Sequence, residues 1–116
     1  LEEGLLVQVS PSFIKRCKTH FHKLSCGVSI IIGNNGYIWI RPHEDKKSEG
    51  ISREDREMIA RLRNCILALT DHRMLIYDSS LNYAVEASKQ YSIKDLLKPE
   101  VKDELAQITK QRLEEL

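Results

Sequence analysis

The chain has 116 residues, the size of one domain, and its 41% hydrophobic and 30% charged residues are typical of a folded globular protein. This composition excludes a disordered chain, and no apolar run reaches the roughly 18 residues that a membrane helix requires. The net charge of +1 is unevenly divided, because residues 1–43 carry a net +3 and the remainder a net −2. No acidic residue lies between Gly4 and His43, which predicts that this part attracts phosphates.

The cysteines and the start of the chain bear on its location. Cys17, Cys26 and Cys65 are an odd set that cannot all pair within one chain, which is typical of reduced thiols in a reducing compartment. We therefore expect a nuclear or cytosolic protein. Because the chain begins at Leu1 and not at Met, we also expect it to be part of a longer one.

The first segments predict a strand followed by a connector. Residues 5–9 are apolar and β-prone, between Gly4 and a Ser-Pro pair, and predict one strand. Residues 13–26 are polar, basic and weakly periodic, as expected of a connector between domains. We place a domain boundary near Gly27.

The strongest strand signals lie at residues 28–32 and 37–40, which are rich in β-branched and aromatic residues. They are separated by Gly33, Asn34, Asn35 and Gly36. An Asn-Gly pair between two such runs predicts a hairpin with a primed turn, since Asn and Gly tolerate positive φ. Residues 41–50 are then predicted to be a charged loop.

Helices are predicted for the remainder of the chain. Ser52 caps the first helix, with its apolar face at Met58, Ile59, Leu62, Cys65, Ile66 and Leu69. Residues 73–78 are either a third short strand or a connector. Ser79 or Ser80 caps a second helix to about Lys89, a capping pattern at residues 92–95 opens a short third helix, and Pro99 begins a terminal one. The fold class is therefore α+β: a small antiparallel sheet with helices packed on one face.

The basic connector supplies the candidate RNA-binding residues, because cationic and aromatic groups contact phosphates and bases in single-strand binders. These candidates are Lys15, Arg16, Lys18, His20, His22 and Lys23, and Phe21 of the same connector could also stack on bases. The alternative is a solvated basic loop without a ligand. Cys17, His20, His22 and Cys26 are residue types that bind zinc, but their spacing within one short loop is a poor match for a tetrahedral site, so no metal or other cofactor is expected.

Two further features have a structural and a functional interpretation. Gly33–Gly36 fits the G-x-x-G pattern that clamps nucleic acid in KH domains, but that clamp joins two helices, whereas here the pattern joins two strands, so a structural turn is favoured. Tyr37 and Trp39 share one face of their strand and form either a stacking platform or an interdomain contact. With no aromatic residue predicted on the neighbouring strand, interdomain packing is favoured.

Catalytic motifs are missing from the sequence. It has no P-loop, no nucleophile elbow, no H-E-x-x-H and no carboxylate cluster suited to two metals. We therefore expect a protein without enzymatic activity.

Several segments together resemble one known family. They are LVQVSPS at residues 6–12, KTHFH at 18–22, GNNGYIWI at 33–40, RLRNCI at 61–66, YAVEAS at 83–88 and IKDLLKPE at 93–100. In this order they resemble the ribosomal RNA-processing protein 4 family, the RNA-binding cap subunits of the RNA exosome. The resemblance covers nearly the whole chain.

The resemblance implies a domain organisation and a role. Residues 1–12 would be the tail of an OB barrel of the ribosomal-protein-S-one type, and residues 27–116 a KH-like domain whose Gly33–Gly36 segment is structural. Members of the family lack nuclease activity, hold the exosome ring together and guide single-stranded RNA to a 3′-to-5′ exonuclease in another subunit. The expected partners are exosome ring and cap subunits and single-stranded RNA, with no membrane, in nucleus, nucleolus and cytoplasm. The alternatives are a protein-interaction domain without RNA contact and a small nuclease.

Overall fold

The structure is a computed structural model that describes residues 4–15, 20–42 and 52–115. Its strands are β1 (Leu5–Gln8), β2 (Phe21–Lys23), β3 (Val28–Ile32) and β4 (Tyr37–Pro42). Its α-helices are α1 (Arg53–Asp71), α2 (Asp78–Ser88) and α3 (Pro99–Glu114), with short 3-10 helices at Pro11–Phe13 and Lys94–Leu97. The α+β, KH-like fold class predicted from the sequence is confirmed.

The four strands form one antiparallel sheet in the order β1-β4-β3-β2. The predicted hairpin of β3 and β4 is its centre, where Ile30 pairs with Ile40. β4 continues through Pro42, so the predicted loop does not begin at Arg41, and the rest of that loop lies outside the described residues.

The edge strands were not both expected in this sheet. β1 pairs with β4, and β2 pairs with β3, so both belong to the sheet of the hairpin. The segment predicted as a connector therefore contains a strand, and Leu24 directly after it is buried. Three residues with one apolar side chain are too short and too polar for a periodic signal, which explains the difference. The assignment of residues 1–12 to an OB barrel stays a prediction.

The hairpin turn differs from the predicted primed type. The Gly36 amide donates to the Gly33 carbonyl (3.0 Å), and the Gly33 amide donates to the Tyr37 carbonyl (2.9 Å). Gly36 alone in this loop has a positive φ, of 90°, so neither asparagine is left-handed. This is a three-residue loop with a left-handed glycine at its end, and the asparagine at position 35 instead accepts the Tyr37 amide through its side chain.

Helix α1 covers the sheet by packing on β3 and β4, and α2 and α3 pack against α1 and each other. The predicted cap of α1 is confirmed, since the Ser52 hydroxyl accepts a hydrogen bond from the Asp55 amide at 3.1 Å. For α2 the prediction was wrong, because the cap is Tyr77, and Ser80 accepts the Tyr77 amide from within the first turn. Residues 73–77 form a connector with a single parallel bridge from Ile76 to Ile14.

The core lies between the sheet and the helices. Its largest fully buried side chains include Ile30, Ile38, Ile40, Leu62, Ile66, Leu69, Ile76, Leu81, Leu96 and Leu105. Pro99 begins α3, as predicted, where its missing N–H leaves no helical hydrogen bond unmade. Within the described part of the chain, no helix has the length and hydropathy needed to cross a bilayer.

Candidate nucleic-acid interface

The two faces of the sheet have different surroundings, because successive side chains of a strand point to opposite sides. On the helix side, Val7, Ile38 and Ile40 are buried together with Val28, Ile30 and Ile32. Tyr37 and Trp39 lie on the other side, so their predicted common face is confirmed. The sheet therefore has a covered face and an open face.

The open face carries an apolar row across all four strands. Leu6 pairs with Trp39, Trp39 pairs with Ile31, and Ile31 pairs with Phe21. Directly paired residues lie on the same face, about 5 Å apart, so these four side chains form one continuous line. Leu6 is 51% exposed, Phe21 37%, Ile31 36% and the neighbouring Tyr37 42%. We call Leu6, Phe21, Ile31, Tyr37 and Trp39 the sheet row.

A cationic end flanks the sheet row on the same face. Lys23 pairs with Ser29, and Ser29 pairs with Arg41, so both cations share the face of the row. Ser29 between them is buried, whereas the row is exposed except for Trp39, which is half-buried. All four described strands lie within the acid-free part of the sequence, so the strand residues of the open face include Lys23 and Arg41 and no carboxylate.

The Trp39 ring extends from the centre of the row toward the start of β1. A Cβ atom at Gly4 would lie 2.8 Å from Cζ2 of this ring and 2.4 Å from the Ile40 carbonyl oxygen. The ring therefore lies directly against the Gly4 backbone, where any larger residue would displace it. This contact fixes the orientation of the tryptophan and leaves part of it accessible to solvent.

The predicted RNA-binding residues are distributed over several elements. Lys15 follows the first 3-10 helix, with its Nζ 4.2 Å from the centre of the Tyr77 ring. His20 pairs with the end of β3, since its Nδ1 lies 2.9 Å from the Ile32 carbonyl oxygen and its own carbonyl accepts the Ile32 amide. Arg16 and Lys18 lie outside the described residues.

The two candidates on β2 point to opposite sides of the sheet. His22 pairs with the buried Ile30 and so faces the helix side, whereas Lys23 lies on the open face. Of the four described candidates, only Lys23 is therefore placed beside the sheet row. The RNA-binding role of all six stays a prediction.

Gly33–Gly36 forms a turn between strands, and contacts with β1 further fix its geometry. The Gly36 carbonyl accepts the Val9 amide at 2.8 Å, and a Cβ atom at Gly36 would lie 2.1 Å from the Val9 carbonyl oxygen. Gly36 is buried, whereas Asn34 and Asn35 are exposed at the tip. A Cβ atom at Gly33 would lie 2.6 Å from Asn35 Oδ1, so close contacts account for both glycines without a ligand.

The thiols and the predicted metal ligands show no reactive arrangement. The described residues contain no group of three His, Cys, Asp or Glu side chains that could hold a metal ion, and Cys17 of the zinc candidate lies outside them. Burial raises the pKa of Cys26, and burial likewise raises the pKa of Cys65 to about 12. Both thiols are thereby kept protonated and weakly nucleophilic.

Leu6, Ile31 and Arg41 of the open face were not among the residues predicted from the sequence, whereas Phe21 was considered for base stacking only as part of the connector. Phe21 was assigned to a connector, and Ile31 was one of five consecutive strand residues without a clear alternation. The available signal was the Tyr37–Trp39 alternation in the neighbouring strand. Once the register of the hairpin is known, this alternation places Ile31 on the same face.

Comparison with known proteins agrees with the resemblance noted in the sequence. The family model of the KH domain matches residues 4–46, a range that includes all four strands. Exosome complex component RRP4 of Bos taurus is 51% identical over 97% of this chain and 42% of its own length, and that of Mus musculus gives the same values. The RRP4 homolog of Caenorhabditis elegans is 33% identical over 97% of this chain. The resemblance to the RRP4 family is thus confirmed, and the chain spans about two fifths of the length of these relatives.

Proposed function

We propose, from its similarity to the RRP4 exosome components, that this chain is an RNA-binding part of an exosome subunit. In this role it has no nuclease activity of its own. It contributes to the cap of the exosome and guides single-stranded RNA toward a 3′-to-5′ exonuclease in another subunit. The observation that carries the proposal is the 51% identity over 97% of the chain.

The distribution of charge supports RNA contact at the sheet end of the molecule. The four strands and the segments that join them lie in the part of the sequence without acidic residues. Lys15, His20 and Lys23 are all exposed there. Cations without neighbouring carboxylates attract the phosphate backbone of RNA. This attraction does not depend on the RNA sequence, which suits a subunit that guides many different RNAs.

The remainder of the molecule is suited to a structural role. Helices α1, α2 and α3 pack against one another and contribute most of one continuous hydrophobic core. The proposal therefore assigns RNA contact to the sheet end and subunit contact to the surfaces around it. Its partners are the ring and cap subunits of the exosome, in nucleus, nucleolus and cytoplasm, without a cofactor or a membrane.

Salt dependence of RNA binding tests the proposal. Anisotropy of a labelled 12-nucleotide RNA is measured with the full chain between 50 and 200 mM salt. We expect log affinity to fall linearly with log salt, and Lys15→Glu/Lys18→Glu to lower the slope by about 1.4, which corresponds to two lost phosphate contacts. The matched control is Lys94→Glu/Lys110→Glu, which reverses two exposed charges in the helical part. Equal slopes for the unmutated chain and both variants would contradict phosphate contact by the basic connector, residues 13–26.

The exposed sheet row favours a second candidate function, a protein-interaction domain without RNA contact. The two functions differ in cells expressing the Lys15→Glu/Lys18→Glu variant. Loss of RNA crosslinking in this variant, with exosome subunits still co-purifying, supports RNA guidance. Co-purification of the unmutated chain with exosome subunits but without any RNA crosslink supports the interaction domain. Degradation of RNA by the purified chain with added Mg²⁺, in proportion to its concentration, would instead establish a nuclease.

A further inference from the structure

We propose that the sheet row, Leu6, Phe21, Ile31, Tyr37 and Trp39, is a platform on which bases of single-stranded RNA stack, with phosphates held at its cationic end. The inference rests on the proposed function and names the surface and the mode of contact. It differs from the contact predicted from the sequence in two ways. The bases bind the face of the sheet, and of the four predicted residues that the structure describes only Lys23 lies at the platform.

The spacing of the aromatic side chains supports stacking. Tyr37 and Trp39 are two positions apart on β4, which separates them by about 7 Å, and Phe21 lies two strands from Trp39, about 10 Å away. Three rings at these separations are spaced to contact different bases of an extended strand. Ile31 between Trp39 and Phe21 continues the apolar surface without a gap.

Charge complementarity identifies the occupant as a polyanion. Lys23 and Arg41 flank Ser29 at one end of the same face, and the acid-free strands place no carboxylate among them. An aromatic surface beside cations is the combination that binds single-stranded nucleic acid, because stacking is tolerant of sequence and the phosphates pair with the cations. A protein partner would need acidic groups at that end in addition to apolar ones.

The structure adds an aromatic residue to the face of Tyr37 and Trp39, on a strand that is not next to β4. The sequence favoured interdomain packing because the partner strand has no aromatic residue, and β3 has none, so interdomain packing stays a prediction. β2 places Phe21 in register with Ile31, and Ile31 in register with Trp39, so aromatic side chains lie on two strands of one face. The row therefore carries aromatic residues on β2 and β4, with Ile31 of β3 between them.

Fluorescence of Trp39 tests the platform directly, since it is the single tryptophan of the chain. The full chain is titrated with a 12-nucleotide RNA and with an abasic oligonucleotide of the same length, which keeps the phosphates but has no bases. We expect the RNA to quench Trp39 emission and the abasic oligonucleotide to leave it unchanged. Quenching of equal size by both would show a phosphate effect and would overturn the stacking.

Variants that keep the reporter measure the contribution of each ring. Tyr37→Ser and Phe21→Ser are each expected to weaken RNA binding by about tenfold, the order found for loss of one base–aromatic stack. Leu75→Ser is the control, because Leu75 is 45% exposed but lies outside the sheet. Far-UV circular dichroism confirms that each variant is folded. If one aromatic variant does not fold, the other still tests the platform.

Each other outcome separates this inference from the proposed function. Salt-sensitive RNA binding without Trp39 quenching, and with unchanged affinity in both aromatic variants, overturns the platform and leaves the proposed function intact. No salt-sensitive RNA binding at all defeats the proposed function itself. If Trp39 in the assembled, RNA-free exosome is protected from acrylamide, a protein surface covers the row, and the platform is again overturned.

Discussion

The covered and open faces are built from the same four strands, yet their side chains have different consequences. On the covered face, Ile30, Ile38 and Ile40 are fully buried beneath the helices. On the open face, their immediate neighbours Ile31, Tyr37 and Trp39 remain accessible. Hydrophobicity is similar in both sets, so composition does not explain the difference. The helices cover only one side of the sheet.

This difference separates the residues that hold the fold together from those that are available for binding. Burial of an Ile side chain contributes about 2 kcal/mol or more to folding, whereas a partly exposed side chain contributes only a fraction of this. A contiguous apolar row with four exposed residues and a half-buried tryptophan is uncommon on a monomeric surface and typically marks a binding site. The comparison therefore predicts that mutations on the covered face reduce stability, while those on the open face reduce binding.

The largest expected effect is that of Ile40→Ala on the covered face. Ile40 is fully buried in the centre of the sheet, so its truncation removes buried methyl groups and leaves a cavity. We expect a loss of about 2–5 kcal/mol in the free energy of unfolding, measured by urea denaturation. Ile31→Ala is the matched control, with the same chemical change on the next strand but on the open face. The expected loss in the free energy of unfolding for Ile31→Ala is below about 1 kcal/mol. Equal losses for the two variants would show that Ile31 is as deeply buried as Ile40.

A second prediction concerns Gly36→Ala in the turn between β3 and β4, the two strands at the centre of the sheet. Gly36 has a φ of 90°, and a Cβ atom there would lie 2.1 Å from the Val9 carbonyl oxygen. The variant must therefore adopt a strained backbone or displace β1, at a cost of about 1–3 kcal/mol in the free energy of unfolding. Asn34→Ala, on the exposed tip of the same loop, is expected to change this free energy by less than about 0.5 kcal/mol. A neutral Gly36→Ala would mean that β1 is not held against the turn.

The sequence alone predicted the hairpin and the helices because their signals are local. The Ser52 cap, the Pro99 start and the apolar spacing of α1 each depend on residues within one or two turns of a helix. The alternation of Tyr37, Ile38, Trp39 and Ile40 likewise predicted which side chains share a face. These elements are confirmed because tertiary contacts reinforce the local preferences.

The sheet row was not predictable in the same way, because it depends on contacts between distant segments. Phe21 joins the row through the pairing of β2 with β3, and Leu6 through the pairing of β1 with β4. Neither edge strand encodes its partner in a local pattern, since β2 has only three residues and register is set by the whole pairing. Similarly, Tyr77 was not recognised as a cap because aromatic residues rarely occupy that position.

The smallest expected effect concerns the helical layer on the covered face, where Cys65 is fully buried on α1. Burial raises the pKa of this thiol from 9.0 to about 12, so the folded protein keeps the proton that the unfolded chain releases above pH 9. The contribution to stability is therefore complete below pH 9 and is lost as the pH rises toward 12. The free energy of unfolding should fall by up to about 1.4 kcal/mol between pH 8 and pH 10.

Cys65→Ala isolates this contribution from the other groups that titrate at alkaline pH, including Cys26, whose pKa burial also raises. Urea denaturation of both proteins at pH 8 and pH 10 gives two differences in the free energy of unfolding. The variant loses stability at pH 8 through the smaller side chain, but its further loss at pH 10 should be smaller than that of the parent. If both proteins lose the same amount between the two pH values, Cys65 is accessible to solvent, and the helices do not seal the covered face as the comparison requires.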